Sequence, residues 1–452
     1  TKNKIVKSFY TLTDFDNWKE KNNNGKGWNT KYYKGLGTST TKEAKEYFTE
    51  LKQVEYEWSD QSDQSMELAF NKDLADNRKE WLRQYDKNLT VDVAASKMDY
   101  SQFVNQDLIH FSNYDLSRSI PSLVDGLKTS QRKILFGCFK RNLKSEVKVA
   151  QIAGYISEHS AYHHGEMSLH GTIIGMAQDY VGSNNLNVLY PGGQFGTRLV
   201  GGKDAASPRY IFTRLEDITD IVYNKSDNEI LKYLDDDGNK VEPEFYVPIL
   251  PMILVNGSQG VGTGFSTFIP CYNPIEIVNN LLNKIDGKEM VQLKPWYRGF
   301  TGDIVAQGSD SYLSKGKYKI INYKTIEITE LPIGTWTDSY KEFLEDLIDD
   351  KKKKEDKDKE KHKESIIVDY KSYCTESTVS FHLEFKPNIL KEIMRDGKLE
   401  KELKLSSKFS TTNMHLFNRH NQIQKYTVDD IMNEFYVLRY EYYQRRKEHL
   451  LS

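Results

Sequence analysis

The 452-residue sequence has few cysteines, no long apolar run and almost no net charge. Its three cysteines, Cys138, Cys271 and Cys374, are far apart and form no CxxC pair, which argues for a reducing compartment and against a structural zinc site. The apolar runs are much shorter than a membrane span, and the first residues do not resemble a signal peptide. We therefore expect a soluble intracellular protein of roughly two to four domains.

The net charge of −2 indicates no particular partner, but positive charge is concentrated locally. Between Lys128 and Lys148 there are seven Lys or Arg residues and a single acid, Glu146. Such a patch can hold a polyanion even in a weakly acidic chain. A second cluster, residues 351–363, has eight Lys against four acids. Its composition predicts a solvated, disordered loop, and the alternative is a nucleic-acid-binding arm.

The N-terminal third is predicted to contain two short regions. Residues 1–52 should hold a strand over residues 5–11 and a helix that runs to Leu51, opened by a capping box of Thr40 and Glu43. Residues 53–105 should form a charged helical connector, with apolar anchors at Trp58, Trp81 and Leu82.

The rest of the chain predicts further α+β domains. In residues 106–235, basic helices alternate with glycine-punctuated segments, which is typical of a winged-helix DNA-binding domain. Residues 236–420 should form a mixed α/β domain, with a buried strand pair over 245–255 and alternating strands over 318–329. Residues 421–452 should begin a coiled coil, with Thr427 and Asp430 as a capping box before apolar Ile431, Phe435, Leu438 and Tyr442.

Arg209 and Tyr210, on a turn fixed by Pro208, are candidates for nucleophilic chemistry. A free phenol has a pKa of about 10, so attack at neutral pH needs a base or a cation that favours phenolate. Arg209 offers a permanent charge and a fork that matches a phosphate. An ordinary surface contact is the alternative for the dipeptide taken alone.

Adjacent His163 and His164, close to Glu166, form a second candidate. In a helix the two rings would point about 100° apart, which disfavours joint metal binding and leaves phosphate contact, proton transfer or a structural role. The acidic run at residues 235–237 resembles a Mg²⁺ motif, but Gly238 follows it, and Asp-Asp-Gly favours a hairpin turn.

Two glycine-rich stretches invite ligand hypotheses. Gly201-Gly202-Lys203 is not a P-loop, because Asp204 follows where Ser or Thr is needed. The stretch from Gly257 to Gly264 is predicted to be a loop that approaches something closely, with Val261 as a candidate apolar wedge between base pairs.

Together these segments resemble the breakage-reunion core of eukaryotic-type type IIA DNA topoisomerases. The resemblance extends over nearly the whole chain, and the matching stretches keep the family's order and spacing. They are Tyr32 to Phe48, Arg118 to Lys133, Val147 to Gln151, Tyr162 to Leu169, Gln194 to Thr213 and Val241 to Gly264.

The resemblance implies that Tyr210 attacks a DNA phosphodiester and forms a 5′-phosphotyrosyl link. Around the scissile phosphate it implies a catalytic cluster of Arg118, Lys128, Arg132, Arg209 and His164, oriented by Asp125. Val261 takes the place of the family's usual isoleucine, which kinks DNA. The predicted DNA-contacting residues are Lys34, Lys133, Lys148, His163, Arg198, Lys203 and Val261.

The resemblance also implies an ATP-hydrolysing homodimer that acts on double-stranded DNA in the nucleus, or in the cytoplasm if the protein is viral. It implies Mg²⁺, held by carboxylates of a TOPRIM domain. Residues 1–52 match only the end of that domain, so we expect a part of the enzyme without its metal ligands, ATPase domain or C-terminal gate. Two alternatives are a non-catalytic winged-helix DNA-binding protein and a metal-dependent phosphodiesterase built on the histidine pair and the aspartates.

Overall fold

The computed structural model describes residues 1–3, 5–33, 37–49, 51–92, 95–236, 238–348 and 365–452. The chain forms two compact units, of which the smaller contains Thr1–Leu116 and Gly262–Phe265. The larger contains Ser117–Val261 and Ser266–Ser452. The predicted domain end at residue 52 and the connector that follows it therefore lie in one unit. The predicted boundaries at 235/236 and 420/421 fall inside the larger unit and stay predictions.

The beginning of the smaller unit differs from the sequence-based expectation. The predicted strand over residues 5–11 is wrong, because a helix follows directly and Thr11 caps it by accepting the N–H of Asp14 at 3.1 Å. The capping box before the next helix is confirmed, since Glu43 accepts the N–H of Thr40 at 2.6 Å and returns its own at 3.3 Å. The helices of this part are α1 (Leu12–Lys21) and α2 (Thr41–Thr49), so α2 ends before Leu51.

The predicted connector is helical but also contains a short parallel strand pair. Trp81 and Leu82 are buried as expected, whereas Trp58 is 61% exposed and lies against the ring of Tyr100, with 5.1 Å between the ring centroids. The strands are β1 (Glu55–Glu57) and β2 (Lys97–Asp99). The helices are α3 (Ser62–Phe70), α4 (Ala75–Arg83), α5 (Tyr100–Phe103) and α6 (Ile109–Ser119), and α6 carries the chain into the larger unit.

The first part of the larger unit is a cluster of helices with a short antiparallel strand pair. Three helices pack on one another: α7 (Thr129–Lys140), α8 (Val149–His159) and α9 (Glu166–Ala177). Their apolar faces supply fully buried side chains, including Ile134, Ile152 and Ile173. Strands β3 (Val147–Lys148) and β4 (Phe212–Thr213) pair immediately before α8, so the chain after Tyr210 lies beside the start of that helix.

Short hairpins and helices follow the helical cluster. The predicted strand pair over 245–255 is wrong, because Pro248 and Pro251 have no N–H to donate to a sheet, although the segment is buried as expected. A helix begins after Pro251 instead. The elements here are α10 (Asp217–Val222), β5 (Tyr233–Asp236), β6 (Asn239–Pro243), α11 (Met252–Asn256), β7 (Ser258–Val261), β8 (Ser266–Ile269) and α12 (Pro274–Ile285).

Two larger antiparallel sheets follow. One has the order β15-β10-β9, and the other has the order β11-β12-β14-β13. The expected alternation over 318–329 is confirmed in β11 and β12, and the inward side chains of β12 are fully buried. The strands are β9 (Asp303–Ala306), β10 (Ser311–Lys315), β11 (Lys317–Asn322), β12 (Thr325–Glu330), β13 (Ile367–Ser372), β14 (Phe381–Phe385) and β15 (Ser406–Ser410). The helices are α13 (Thr337–Ile348), α14 (Ile389–Arg395) and α15 (Leu399–Glu402).

A long helix, α16 (Val428–Leu451), follows the hairpin of β16 (His415–Phe417) and β17 (Ile423–Lys425). Its capping box is confirmed by hydrogen bonds of 3.0 and 3.1 Å between Thr427 and Asp430. The four predicted apolar positions are buried, and Arg439 is buried beside them. In the described part of the chain, no helix is both long enough and apolar enough to span a membrane.

Candidate active site

Tyr210 lies on an open surface at the head of α8. Its N–H donates to the carbonyl of Ser207 at 2.9 Å, which closes the turn. The Ala150 N–H donates to the Pro208 carbonyl, and the Val149 N–H donates to the Ile211 carbonyl, each at 3.0 Å. The first N–H groups of a helix have no partner within it, so α8 fixes the tyrosine segment by using its carbonyls. The side chain is 76% exposed, and its hydroxyl has no hydrogen-bond partner among the described residues.

Two exposed cations accompany Tyr210. Lys148 pairs in the β3–β4 ladder with Phe212, two positions after the tyrosine. Arg209 precedes the tyrosine directly, and its guanidinium has no hydrogen-bond partner in the described ranges. The N-terminus of α8 adds the partial positive charge of a helix dipole. This arrangement can bind a phosphate diester beside the phenol.

The histidine pair lies in a loop before α9, not in a helix. Gly165, at φ +54°, separates His164 from the helix, and the ring of Tyr162 meets that of His164 edge-on, with 5.4 Å between the ring centroids. Burial lowers the pKa of His164, and the neighbouring charges of Arg118, His163 and Lys133 lower it further. His164 is therefore held neutral among cations, as a proton acceptor requires.

His163 and Arg118 are both exposed near this imidazole. The Nε2 of His163 lies 3.5 Å from the Oδ2 of Asp236, on the β5–β6 hairpin. Arg118 is in the last turn of α6. The structure thus brings together the predicted catalytic residues Arg118 and His164.

Asp125 holds Arg132 in the protein interior. The Arg132 Nε and Nη2 donate to the two carboxylate oxygens at 2.7 and 3.0 Å, and Nη2 also donates to the Leu127 carbonyl at 3.0 Å. The N–H groups of Leu127 and Tyr246 donate to Asp125 at 3.0 and 2.9 Å. Asp125 is fully buried and Arg132 nearly so. This geometry gives Asp125 an orienting role but places Arg132 behind the open surface.

Two predicted DNA contacts, Lys133 and Arg198, are also internal ion pairs. The Nζ of Lys133 donates to the Ser160 carbonyl at 2.6 Å and to Glu242 at 2.8 Å. Arg198 is buried and pairs with Glu330, at the end of β12. The expectation that they contact DNA is corrected, because each charge is neutralised by a buried acid. Sequence reasoning missed Glu242 and Glu330, whose only signal is an acid beside apolar residues.

Lys128 and Val261 are linked by β7. The Lys128 Nζ donates to the Gln259 carbonyl at 2.7 Å, and burial lowers the pKa of this amine. The expected glycine loop is wrong for this part, because β7 pairs with β8. A Cβ at Gly260 would lie 2.0 Å from the Ser119 carbonyl oxygen, so glycine serves a close backbone approach. Val261 follows it and is 75% exposed.

Known protein families match both parts of the chain. The family model for DNA gyrase/topoisomerase IV matches residues 118–452. The model for the C-terminal associated domain of TOPRIM matches residues 1–116. The chain belongs to the type IIA DNA topoisomerase family.

Individual relatives agree with this assignment. DNA topoisomerase 2 of Arabidopsis thaliana is 49% identical over 454 residues, which cover 98% of this chain and 30% of the relative. Human DNA topoisomerase 2-alpha is 46% identical over 469 residues, covering 100% and 30%. The crystal structure of the Plasmodium falciparum topoisomerase II DNA-binding, cleavage and re-ligation domain matches with a TM-score of 0.86 and 45% identity, over 100% of this chain and 60% of that one. The expected eukaryotic-type resemblance and multidomain α+β fold are confirmed, and the chain spans about 30% of the curated relatives' length.

The topoisomerase family implies Mg²⁺ and ATP, and the described residues do not fit either. Among them, no group of three or more His, Cys, Asp or Glu side chains could hold a metal ion. The hairpin interpretation of the acidic run is confirmed, because Asp236 pairs with Asn239 and Asp235 accepts the Gly238 N–H at 2.9 Å. Gly202 faces protein rather than phosphate, since a Cβ there would lie 2.4 Å from the Gln178 amide nitrogen.

Some predicted features lie outside the described residues. They are Lys34, Asp237 and the lysine-rich segment 351–363.

Proposed function

We propose that the chain is the DNA breakage-reunion core of an ATP-dependent type II DNA topoisomerase. Tyr210 would form a transient 5′-phosphotyrosyl bond in each strand of a duplex, so that a second duplex passes and supercoils or links are removed. The observation that carries this proposal is the exposed phenol at the head of α8, beside Arg209 and Lys148. The names of the relatives, DNA topoisomerase 2, support it.

In the proposed reaction the Tyr210 oxygen attacks phosphorus and the bond from phosphorus to the 3′-oxygen breaks. The phenol loses its proton, and the departing 3′-oxygen gains one. The phosphotyrosine ester conserves the bond for religation. Arg209 would stabilise charge on the phosphate, with Arg118 and Lys128 as further members of the cluster. His164, kept neutral by its lowered pKa, would serve in proton transfer.

The surface residues suited to hold the duplex are Lys148, Lys203, His163 and Val261, all of which are exposed. Arg132 would act from behind the surface, through its pair with Asp125. A homodimer and a nuclear location belong to the same proposal.

The first test replaces Tyr210 with Phe in the protein made from its complete coding sequence. Denaturant-resistant protein–DNA adducts on supercoiled plasmid should be abolished, because only the attacking oxygen is lost. DNA binding measured without denaturation should stay close to that of the unaltered protein. Tyr323→Phe is the matched control, since Tyr323 is equally exposed (80%) but lies between β11 and β12.

Adducts that persist in Tyr210→Phe would exclude this residue as the nucleophile. If the unaltered protein binds duplex DNA but forms no adduct, the non-catalytic DNA-binding alternative would replace the proposal.

A further inference from the structure

A buried carboxylate on the four-stranded sheet is the anchor of a neighbouring loop. Glu330 is 2% exposed and accepts hydrogen bonds from both terminal nitrogens of Arg198. It also accepts from the N–H and hydroxyl of Thr301, at 3.3 and 3.1 Å, and from the Leu331 N–H at 2.9 Å. Arg198 is 5% exposed. Because an unpaired buried charge is strongly unfavourable, the pair fixes Arg198 to the end of β12.

Residues 196–204, which we name the arginine loop, are closed around Arg198. The N–H and hydroxyl of Thr197 donate to the two carboxylate oxygens of Asp204 at 2.8 and 2.5 Å. The Gly202 N–H donates back to the Thr197 carbonyl at 2.9 Å. These bonds join the two ends of the loop, so a displacement of Arg198 must move Asp204 as well.

The arginine loop is also docked on the start of α13. The Thr337 N–H donates to the Arg198 carbonyl at 3.3 Å. A Cβ at Gly201 would lie 2.5 Å from the indole ring of Trp336, which shows how closely the loop backbone packs there. The loop therefore takes its position from β12 and α13.

The chain leads from the arginine loop directly to the tyrosine. After Asp204, the Ala206 N–H donates to the Gln194 carbonyl at 2.9 Å, and the turn that carries Tyr210 follows. Hydrogen bonds to α8 hold the other side of that turn. The Tyr210 segment is thus held between α8 and a loop whose place is set by Glu330.

We propose that Glu330 is a positioning residue for Tyr210, acting through Arg198 and the arginine loop. The inference rests on the proposed breakage-reunion function and adds to it a residue that does not touch DNA or the reacting atoms. Its role is to hold the phenol in line with the scissile bond. Small displacements at that point reduce the rate of transfer far more than they reduce binding, because in-line attack depends steeply on geometry.

The test compares Glu330→Gln with Asp227→Asn in the protein made from its complete coding sequence. Asp227 is the matched control, because it is equally buried and pairs with Arg439 at 2.9 Å, on α16 rather than on the arginine loop. Three quantities are measured: the thermal midpoint, the Kd for a duplex oligonucleotide without denaturant, and the single-turnover rate of adduct formation at saturating DNA.

Both variants should lower the thermal midpoint, since each leaves an arginine without its anionic partner. Only Glu330→Gln should reduce the adduct rate, by about 10- to 100-fold, with a Kd close to that of the unaltered protein. An unchanged rate in folded Glu330→Gln, or an equal fall in Asp227→Asn, would overturn the positioning role. If Glu330→Gln does not fold, Thr301→Val decides, because it removes one hydrogen bond from Glu330 and keeps the ion pair. A rate that falls supports the role, and a rate equal to the unaltered one overturns it.

A failure of the underlying function is distinguishable from these outcomes. In that case the unaltered protein itself forms no adduct that Tyr210→Phe abolishes.

Discussion

His164 is a neutral base in a cationic setting. Burial is the main cause of its lowered pKa, followed by the charges of Arg118, His163 and Lys133. An unperturbed histidine has a pKa of about 6.5, so His164 should stay neutral as the pH falls through that value. The folded state binds this proton less readily than the unfolded state. The stabilising contribution is therefore complete above about pH 6.5 and is lost as the pH falls through the lower folded pKa.

Replacing Arg118 with Gln should raise the pKa of His164 towards its ordinary value, because one source of repulsion on the imidazolium is removed. The measurement is an NMR titration of selectively labelled histidine rings, with His164→Gln used for assignment. Lys144→Gln is the control, since Lys144 pairs with Asp220 and is not among the charges that lower the pKa of His164. An unchanged or lower pKa in Arg118→Gln would show that Arg118 does not act on this ring.

The roles of individual basic residues could be only partly inferred from the sequence. The exposed Arg209–Tyr210 turn follows from local chemistry, because Pro208 and the following apolar residues define it. The burial of Lys133 and Arg198 does not, since their acidic partners are 109 and 132 residues away. A cation and a distant acid become an ion pair only when the fold brings them together.

At the scale of elements, local signals predicted helix starts better than strands. The capping boxes at Thr40 and Thr427 formed as expected, because a cap needs only residues within one turn. Strands depend on partners elsewhere in the chain. The segment at 245–255 is apolar but has prolines and no ladder, whereas Gly260 lies in a strand because Ser119 leaves no room for a side chain.

Gly260→Ala should destabilise the larger unit by about 1–3 kcal/mol, the usual cost of forcing extra volume into packed structure. The new Cβ would lie 2.0 Å from the Ser119 carbonyl oxygen, so β7 must move and its pairing with β8 must weaken. Thermal denaturation is the measurement. Gly154→Ala in α8 is the control, because no atom lies within 4 Å of its added Cβ. Alanine there should stabilise the helix by about 0.5–1 kcal/mol. A Gly260→Ala midpoint equal to that of the unaltered protein would contradict the close approach.

Across the whole molecule, pairing divides the cations into two classes. Arg132, Lys133, Arg198 and Arg439 are buried against acids and stabilise the fold. Lys148 and Lys203 are exposed near the tyrosine segment. Since a net charge of −2 cannot attract DNA by itself, the unneutralised surface charges must supply the attraction to phosphate.

The salt dependence of duplex binding should therefore follow the exposed class. Each phosphate contact contributes about 0.9 to the slope of log K against log salt, so Lys148→Ala with Lys203→Ala should reduce the slope by about 2. Lys391→Ala, an exposed lysine on α14, should leave it unchanged. Lys133→Ala should instead lower the thermal midpoint, because Glu242 is left buried and unpaired. A slope that falls in Lys391→Ala as much as in the double variant would mean that the surface around α8 is not the DNA-binding face, because phosphate contacts would then be spread over the molecule without preference for the nucleophile.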